Sequence, residues 1–153
     1  MDDLEELRDL LRASSDPDNP SPEELRDLFD RCARIAVVGL SRSHEKPARR
    51  VPSYLAAKGY DIVPVNPHAQ RIFGKKVFAS LQEVPASLDM VIVFRPSEEA
   101  GGVTRTATAR AERPAIWLQE GIRADEEVAL ARAGGHLCVQ DLCAYHVHRA
   151  LYS

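Results

Sequence analysis

The sequence has 153 residues, of which 44% are hydrophobic and 28% charged, and this balance is typical of one globular domain with a sizeable core rather than of a disordered chain. The formal net charge of -3 provides no general positive field, so we expect no nucleic-acid partner. The lack of a long apolar stretch and of a signal-like N-terminus, together with three cysteines without metal-ligand spacing, predicts a cytoplasmic protein with no membrane partner.

The first 32 residues predict two helices joined by a linker. Leucines recur at helical spacing within residues 4–11, and the turn-forming run SSDPDNP at 14–20 ends that pattern. The sequence SPEE at 21–24 then combines a capping serine, a proline at the first helical position and a glutamate three residues after the serine, which is a capping box. We expect residues 1–32 to be a helical extension packed on the domain, away from any ligand at the carboxyl ends of the strands.

The next segment predicts a βαβ unit. Residues 34–39 are an apolar run that ends in Gly39, residues 51–55 follow helical spacing, and residues 61–66 supply a second strand, within which Pro64 predicts irregular pairing. Such a unit places the turn after Gly39 beside a helix N-terminus, where free N–H groups and the helix dipole attract anions. Because the loop is also basic, the first functional hypothesis is a ligand that carries phosphate.

The remaining chain alternates strands and helices. Further strands are predicted at 89–95, 115–119 and 136–140, and further helices from Ser97 onward, at 125–133 and at 144–151. This alternation predicts that residues 33–153 form an α/β domain with a five-stranded, mainly parallel sheet and helices on both faces.

Ligands of open parallel sheets bind at the carboxyl ends of the strands. Those ends are predicted at residues 39–42, 65–68, 94–96 and 119–121. A dinucleotide-binding fingerprint needs three glycines and an acidic residue that ends the second strand, whereas this sequence has Gly39 alone and an asparagine near the place of the acid. The residues therefore disfavour NAD but leave an anion site open, with a solvated basic loop as the alternative.

Five ordered segments carry a resemblance to a known family. They are VGLS at 38–41, GYDIVPVNP at 59–67, VFRPS at 93–97, WLQEGI at 117–122 and DLC at 141–143. Together they resemble the small bacterial and archaeal CoA-binding proteins, which are similar to the N-terminal CoA-binding domain of the succinyl-CoA synthetase alpha subunit. The resemblance covers roughly residues 33–151.

The resemblance implies a Rossmann-like three-layer fold and a site for coenzyme A or an acyl-CoA, made of three sets of residues. The turn that would meet the phosphates comprises Gly39, Leu40, Ser41 and Arg42. The residues that would flank the adenosine are Val65, Asn66, Pro67, His68, Phe94, Arg95 and Pro96. The residues that would lie beside the pantetheine are Gln119, Glu120 and Gly121. Phe94 could equally belong to the core of the sheet, because aromatic residues are common in strands.

The residues favour a binding protein over an enzyme. The sequence shows no nucleophile elbow, no Walker loop and no metal-spaced ligand set, so neither catalytic nor metal-binding residues are predicted. The synthetase alpha subunit carries its phosphorylated histidine in a second domain, for which we expect no counterpart here. The first hypothesis is non-catalytic binding of CoA or an acyl-CoA, as a sensor or partner subunit. The alternatives are a CoA- or nucleotide-dependent enzyme, an acyl transferase or reductase with dispersed residues, and an interaction domain that has lost its ligand.

Two residues near the C-terminus keep alternatives open. Cys143 could form a mixed disulfide with the thiol of CoA, or it could be a small buried residue. The family often has a glutamate before the histidine in this region, whereas Tyr145 precedes His146 here.

Overall fold

The computed structural model describes residues 3–39, 46–68 and 71–152, which contain six helices and seven strands. The helices are α1 (Asp3–Ala13), α2 (Pro22–Arg31), α3 (Pro47–Ala57), α4 (Ser97–Thr108), α5 (Asp125–Ala133) and α6 (Ala144–Tyr152). The strands are β1 (Arg34–Val38), β2 (Asp61–Val65), β3 (Arg71–Ile72), β4 (Lys75–Lys76), β5 (Met90–Val93), β6 (Ala115–Leu118) and β7 (Cys138–Val139). A 3-10 turn lies at Leu81–Glu83.

Five of the strands form one parallel sheet in the order β2-β1-β5-β6-β7. The chain moves outward from β1 to β2 and then returns to the other side of β1 at β5, so the strand order reverses between β1 and β5. Such a reversal leaves a crevice at the carboxyl ends of the two strands, because their connections leave in opposite directions. The structure confirms the predicted Rossmann-like α/β fold.

Alternation along the strands divides the core into two layers. Ile35 and Trp117 pack with α1, α2, α3 and α6, whereas their neighbours Ala36 and Ile116 pack with α4, α5 and the 3-10 turn. Successive side chains of a strand point to opposite faces of a sheet, so each face needs its own helical cover. The helices lie on both faces, as predicted. None of the helices in the described ranges has the length and apolar character needed to cross a membrane.

The predicted capping box is present at the start of α2. The Ser21 hydroxyl accepts the N–H of Glu24 at 3.2 Å, and the Glu24 carboxylate accepts the N–H of Ser21 at 3.1 Å. Both bonds satisfy N–H groups that have no partner inside the helix. The start of α2 is therefore closed by its own side chains.

The prediction of irregular pairing at Pro64 was wrong. Pro64 pairs with Val37 in an unbroken register between β1 and β2. The N–H of Asp61 and the carbonyl of Val65 bond toward β1, so by alternation the position of Pro64 faces the outer edge, where its carbonyl accepts the N–H of Phe78 at 3.1 Å. The missing proline donor therefore removes no bond to β1.

The linker between α1 and α2, residues 14–20, corrects a second expectation. Its Asn19 side chain bonds both the N–H and the carbonyl of Gln140, directly after β7, at 2.8 and 2.9 Å. Because α2 is about 15 Å long and ends beside the amino end of β1, its start lies near the opposite end of the sheet. The linker thus reaches the carboxyl edge at β7, whereas the N-terminal segment was expected at the opposite edge. That this segment does not contact the ligand stays a prediction. The division of the chain at residue 32 stays a prediction.

Candidate functional site

A groove of about 770 Å³ lies at the carboxyl ends of β5 and β6, between the first turns of α3 and α6. Its walls come from four places in the chain: the start of α3, the residue that follows β5, the residues that follow β6, and the start of α6. This is the edge of the sheet where the strand order reverses. We call this cavity the groove.

Gly39 holds the chain across the ends of three strands beside the groove. Its φ of +89° lies in the left-handed region, and its N–H donates to the Val65 carbonyl at 2.8 Å. A Cβ at this position would lie 3.1 Å from the Phe94 carbonyl oxygen and 3.1 Å from the Cδ of Arg95. Glycine is therefore required both by the turn and by the close approach of the β5 end. The other predicted phosphate-contacting residues, Leu40, Ser41 and Arg42, lie outside the described residues.

The first turn of α3 forms the basic wall of the groove. Lys46 is its N-cap residue, Pro47 follows, and Lys46 and Arg50 both line the groove. This helix start carries no side-chain cap and no acidic residue in its first turn. A helix N-terminus with cationic side chains attracts anions through both the helix dipole and direct charge. Neither Lys46 nor Arg50 was in the predicted site, although the basic character of the loop indicated them.

The residues predicted around the adenosine at the end of β2 are arranged as a turn. The Asn66 side-chain oxygen accepts the N–H of His68 at 2.8 Å, and the Asn66 N–H donates to the Phe78 carbonyl at 2.9 Å. Pro67 and His68 are exposed, whereas Val65 is buried in the sheet. Asn66 thus shapes the turn that follows β2.

The three predicted residues at the end of β5 have different surroundings. Phe94 is half-buried, packs against the core and also lines the groove, so its two predicted roles coincide. Arg95 pairs with Glu99, its Nε lying 2.8 Å from the carboxylate oxygen. Pro96 is exposed at the start of α4.

The three residues predicted beside the pantetheine form the loop after β6, and two of them line the groove. Gln119 is buried, and its side-chain oxygen accepts the N–H of Ala144 at 2.8 Å, which fixes the start of α6. Glu120 is exposed and lines the groove with Gln119. Gly121 has a φ of +83°, and its N–H donates to the Asp141 carboxylate at 2.6 Å.

Asp141 joins this loop to the N-terminal linker. Its second carboxylate oxygen accepts the N–H and the hydroxyl of Ser15 at 2.8 and 2.7 Å. Burial raises the pKa of Asp141, but the hydrogen bonds from Ser15 and Gly121 outweigh it, so the pKa lies below its ordinary value. The sequence placed Asp141 in a family segment but gave no reason to assign it a role, because its partners are distant in the chain.

The start of α6 supplies the wall opposite α3, which the predicted site did not include. Cys143, Tyr145 and His146 line the groove, and the Cys143 carbonyl accepts the N–H of Val147 at the helix start. Cys143 is half-buried. Burial raises the pKa of Cys32 to about 12 and that of Cys138 to about 11, which keeps both thiols protonated. The three-residue spacing of Cys143 and His146 on a helix was the available signal.

His148 belongs to the core and not to the groove. Its Nδ1 lies 2.8 Å from the Tyr54 hydroxyl and its Nε2 lies 3.2 Å from the Tyr60 hydroxyl. Tyr60 donates its own proton to the Phe29 carbonyl, so it accepts from Nε2–H and leaves Nδ1 to accept from Tyr54. Burial, helped by the nearby charge of Lys58, lowers the pKa of His148 to about 4. His148 is therefore a neutral link between α3 and α6.

A metal site has no support in the part of the chain that the structure describes. No group of three or more histidine, cysteine, aspartate or glutamate side chains in residues 3–39, 46–68 and 71–152 is arranged to hold a metal ion.

The chain is similar to several known proteins. A family model described as a CoA binding domain matches residues 33–149. The chain is 35% identical over 130 residues to the Bacillus subtilis protein YneT, which covers 85% of this chain and 96% of YneT. It is also 30% identical over 106 residues to the ADP-forming acetate–CoA ligase II of Archaeoglobus fulgidus, which covers 68% of this chain but only 16% of the ligase.

Solved structures show the same architecture. The Thermus thermophilus protein cell-free ID.343 superposes with a TM-score of 0.81 at 34% identity, covering 87% of this chain and all 100% of that one. A hypothetical protein from Pyrococcus horikoshii superposes with a TM-score of 0.82 at 27% identity, covering 88% of this chain and 94% of that one. The groove thus lies within a fold that these proteins share along nearly their whole length.

Proposed function

This chain belongs to the family of CoA binding domains, and we propose that it binds coenzyme A or an acyl-CoA in the groove without catalysing a reaction. The observation that carries the proposal is the position of the groove. It lies where the strand order reverses, against the uncapped, basic start of α3, and inside the segment that matches the family. Open parallel sheets bind their ligands at this place.

The diphosphate of CoA fits the α3 side of the groove. Lys46 and Arg50 offer two positive charges there, and Gly39 ends β1 at the same edge of the sheet. We also assign Ser41 and Arg42 to the phosphates, as the resemblance implies. Together these groups meet an anion with charge and with backbone donors.

The remaining parts of CoA fit the other walls. Phe94 presents an aromatic ring at the edge of the groove, which suits contact with the adenine or the pantetheine. The loop formed by Gln119 and Glu120 leads from the sheet toward the start of α6, where Cys143 and His146 lie. The pantetheine arm would follow this loop, with its sulfur directed toward α6.

A role as a sensor or partner subunit suits a site that holds its ligand without a catalytic group. Among the described residues, the structure gives no hydrogen bond between Cys143 and a base, which an activated thiol would use. The enzyme hypothesis keeps one point in its favour: Cys143 and His146 share a wall of the groove. Incubation with acetyl-CoA and succinyl-CoA decides between the two, since binding alone leaves the thioester intact over hours, whereas continued release of CoA indicates an enzyme.

Titration calorimetry of the full chain with CoA and with NAD tests the proposal. We expect one CoA site and an affinity for CoA at least about ten-fold higher than for NAD, a difference of about 1.4 kcal/mol. The double variant Ser41→Ala with Arg42→Ala should weaken CoA by about ten-fold, because charge-assisted contacts of this kind contribute roughly 1.5 to 3 kcal/mol. Tighter binding of NAD, or no heat with CoA, would overturn the proposed function.

A further inference from the structure

A polar network fastens the linker to the carboxyl end of β7 and, through one side chain, to the groove. Most of its bonds end on Gln140: the Ser14 hydroxyl donates to its carbonyl at 3.1 Å, and Asn19 bonds both its N–H and its carbonyl. Ser15 differs, because its N–H and hydroxyl both donate to Asp141. Ser15 thus ties the linker to Asp141, apart from the bonds to Gln140 and from the salt bridge between Asp16 and Arg132.

Asp141 is held in a conformation that its neighbours must maintain. Its φ of +54° is left-handed, which aspartate tolerates better than most residues but still adopts at a cost. In this conformation its two carboxylate oxygens face different partners, Gly121 at 2.6 Å and Ser15 at 2.8 and 2.7 Å. One carboxylate thus joins residues that are 20 and 126 positions away in the chain.

Gly121, one of the two partners bridged by the Asp141 carboxylate, lies between two residues of the groove wall. Glu120 and Ile122 are the neighbours of Gly121, and both line the groove. Gly121 is itself left-handed, and the Ile122 N–H donates to the Gln119 carbonyl at 2.9 Å, so the bond to Asp141 holds this turn in place rather than forming it. A change in that bond moves the wall on which the proposed pantetheine would lie.

A cation lies beside the Ser15–Asp141 bond. The Arg123 guanidinium donates to the Ser15 hydroxyl at 2.8 Å and pairs with Asp125 at 2.7 Å. The hydroxyl of Ser15 therefore relays between a cation and the Asp141 carboxylate, which orients it as a donor to Asp141.

We propose that Asp141 is a positioning residue of the CoA site, which sets the wall formed by Glu120 and Ile122 while Ser15 holds its carboxylate in place. This inference rests on the proposed function, because it concerns affinity for CoA. It has a reciprocal consequence: if the docked linker raises the affinity for CoA, bound CoA must strengthen the docking of the linker by the same factor.

The test uses the full chain with Asp141→Asn, because asparagine keeps the left-handed backbone but offers one acceptor oxygen in place of two. We expect the affinity for CoA to fall by about ten-fold, as for loss of a charge-assisted hydrogen bond. Asp141→Gly, which also keeps the backbone, should show a similar loss. Ser15→Ala removes only the hydroxyl and should weaken CoA by about three-fold, a difference of roughly 0.7 kcal/mol.

The matched control is Asn19→Ala, which removes two of the bonds between the same linker and Gln140 and leaves Asp141 untouched. It should lower the melting temperature at least as much as Asp141→Asn while it changes the affinity for CoA by less than about two-fold, or 0.4 kcal/mol. Amide hydrogen exchange supplies a readout beyond stability: CoA should slow exchange of the Ser15 amide in the wild type but not in Asp141→Asn.

The outcomes separate the two proposals. If the wild type binds CoA and Asp141→Asn binds it equally well, or if Asn19→Ala loses as much affinity as Asp141→Asn, the positioning role is wrong and the proposed function stands. If the wild type does not bind CoA, the proposed function fails and the positioning role fails with it.

Discussion

The carboxyl edge of the sheet is open at β5 and β6, where the groove lies, and covered at β7. At β7 the linker supplies hydrogen bonds to Gln140, whose side chain also bonds the N–H of Ala124 and the carboxylate of Asp16, at 2.7 and 2.9 Å. At the open end Lys46, the N-cap residue of α3, makes no capping bond, the described first turn of α3 has no acidic residue, and the groove lies against it. The same sheet edge thus has one half in which the chain satisfies its own polar groups and one half that carries the positive charges of the proposed site.

The starts of α2 and α3 make the same distinction. Ser21 and Glu24 close the start of α2, whereas Lys46 stands at the cap position of α3 without a capping bond. A capping side chain typically contributes about 1 kcal/mol. The N-cap residues of α4 and α5 also make no capping bond, but those helices have acidic first turns, so the start of α3 is set apart by its positive charge.

The largest expected effect on the affinity for CoA comes from a larger side chain at Gly39, beside the groove. Gly39→Val places a branched side chain at a φ of +89°, with its Cβ 3.1 Å from the Phe94 carbonyl oxygen. We expect the affinity for CoA to fall by about a thousand-fold, or about 4 kcal/mol, because the turn at the phosphates must move. The control is Gly59→Val, which has a φ of +102° but no heavy atom within 4 Å of the place where its Cβ would lie. Gly59→Val carries the backbone strain without the contact, so calorimetry should show reduced stability and unchanged affinity for CoA. An equal loss of affinity in both variants would contradict the assignment of Gly39 to the site.

The next largest expected effect is the order in which two parts of the structure lose stability in acid. His148 has a folded-state pKa of about 4 against an ordinary value of 6.5, so protonation favours the unfolded chain. Stability should fall as the pH drops from 6.5 toward 4, by up to about 3 kcal/mol in total. The pKa values of Asp16 and Asp141 are lowered by hydrogen bonds that outweigh burial, so their stabilising contribution is present above 3.8 and is lost only at lower pH. The link between α3 and α6 should therefore weaken before the linker does.

Urea unfolding between pH 4 and pH 7 measures this order. In His148→Gln the decline between 6.5 and 4 should be much flatter than in the wild type, even though the variant is less stable at neutral pH. An equally steep decline in the variant would assign the acid sensitivity to another group.

The smallest expected effects come from substitutions at the starts of α3 and α2, which should change stability in opposite directions. Lys46→Asp supplies the missing cap of α3, at a backbone of φ -81° and ψ 144° that suits a capping residue. It should raise stability by about 0.5 to 1 kcal/mol and weaken CoA by about ten-fold, since a carboxylate replaces a cation at the phosphates. Ser21→Ala is the converse control on α2: it should lower stability by about 1 kcal/mol and leave the affinity unchanged. A Lys46→Asp variant that binds CoA as well as the wild type would remove the start of α3 from the site.

Local patterns account for the parts of the fold that could be predicted. The capping box of α2 and the span of α5 from Asp125 to Ala133 depend on residues within a few positions of one another, and both were confirmed. Gly39 was assigned to a turn for the same reason, and its positive φ agrees.

Contacts between distant residues account for what could not be predicted. Ser15 and Asp141 are 126 positions apart, and nothing in either local sequence indicates the other. Cys143 and His146 line the groove only because Gln119 fixes the start of α6 there. Pro64 was mispredicted because its effect depends on which side of β2 faces β1, and sequence spacing does not reveal the neighbour of an edge strand.

The most direct measurement of the central claim is a titration of the isotope-labelled full chain with CoA, followed by backbone amide chemical shifts. Binding in the groove predicts the largest shifts at Gly39, Ala48 and Glu120, with little change at Leu7 and Arg26, which line a separate cavity beside α1 and α2. Shifts that cluster around Leu7 and Arg26, or an absence of shifts at saturating CoA, would contradict the account.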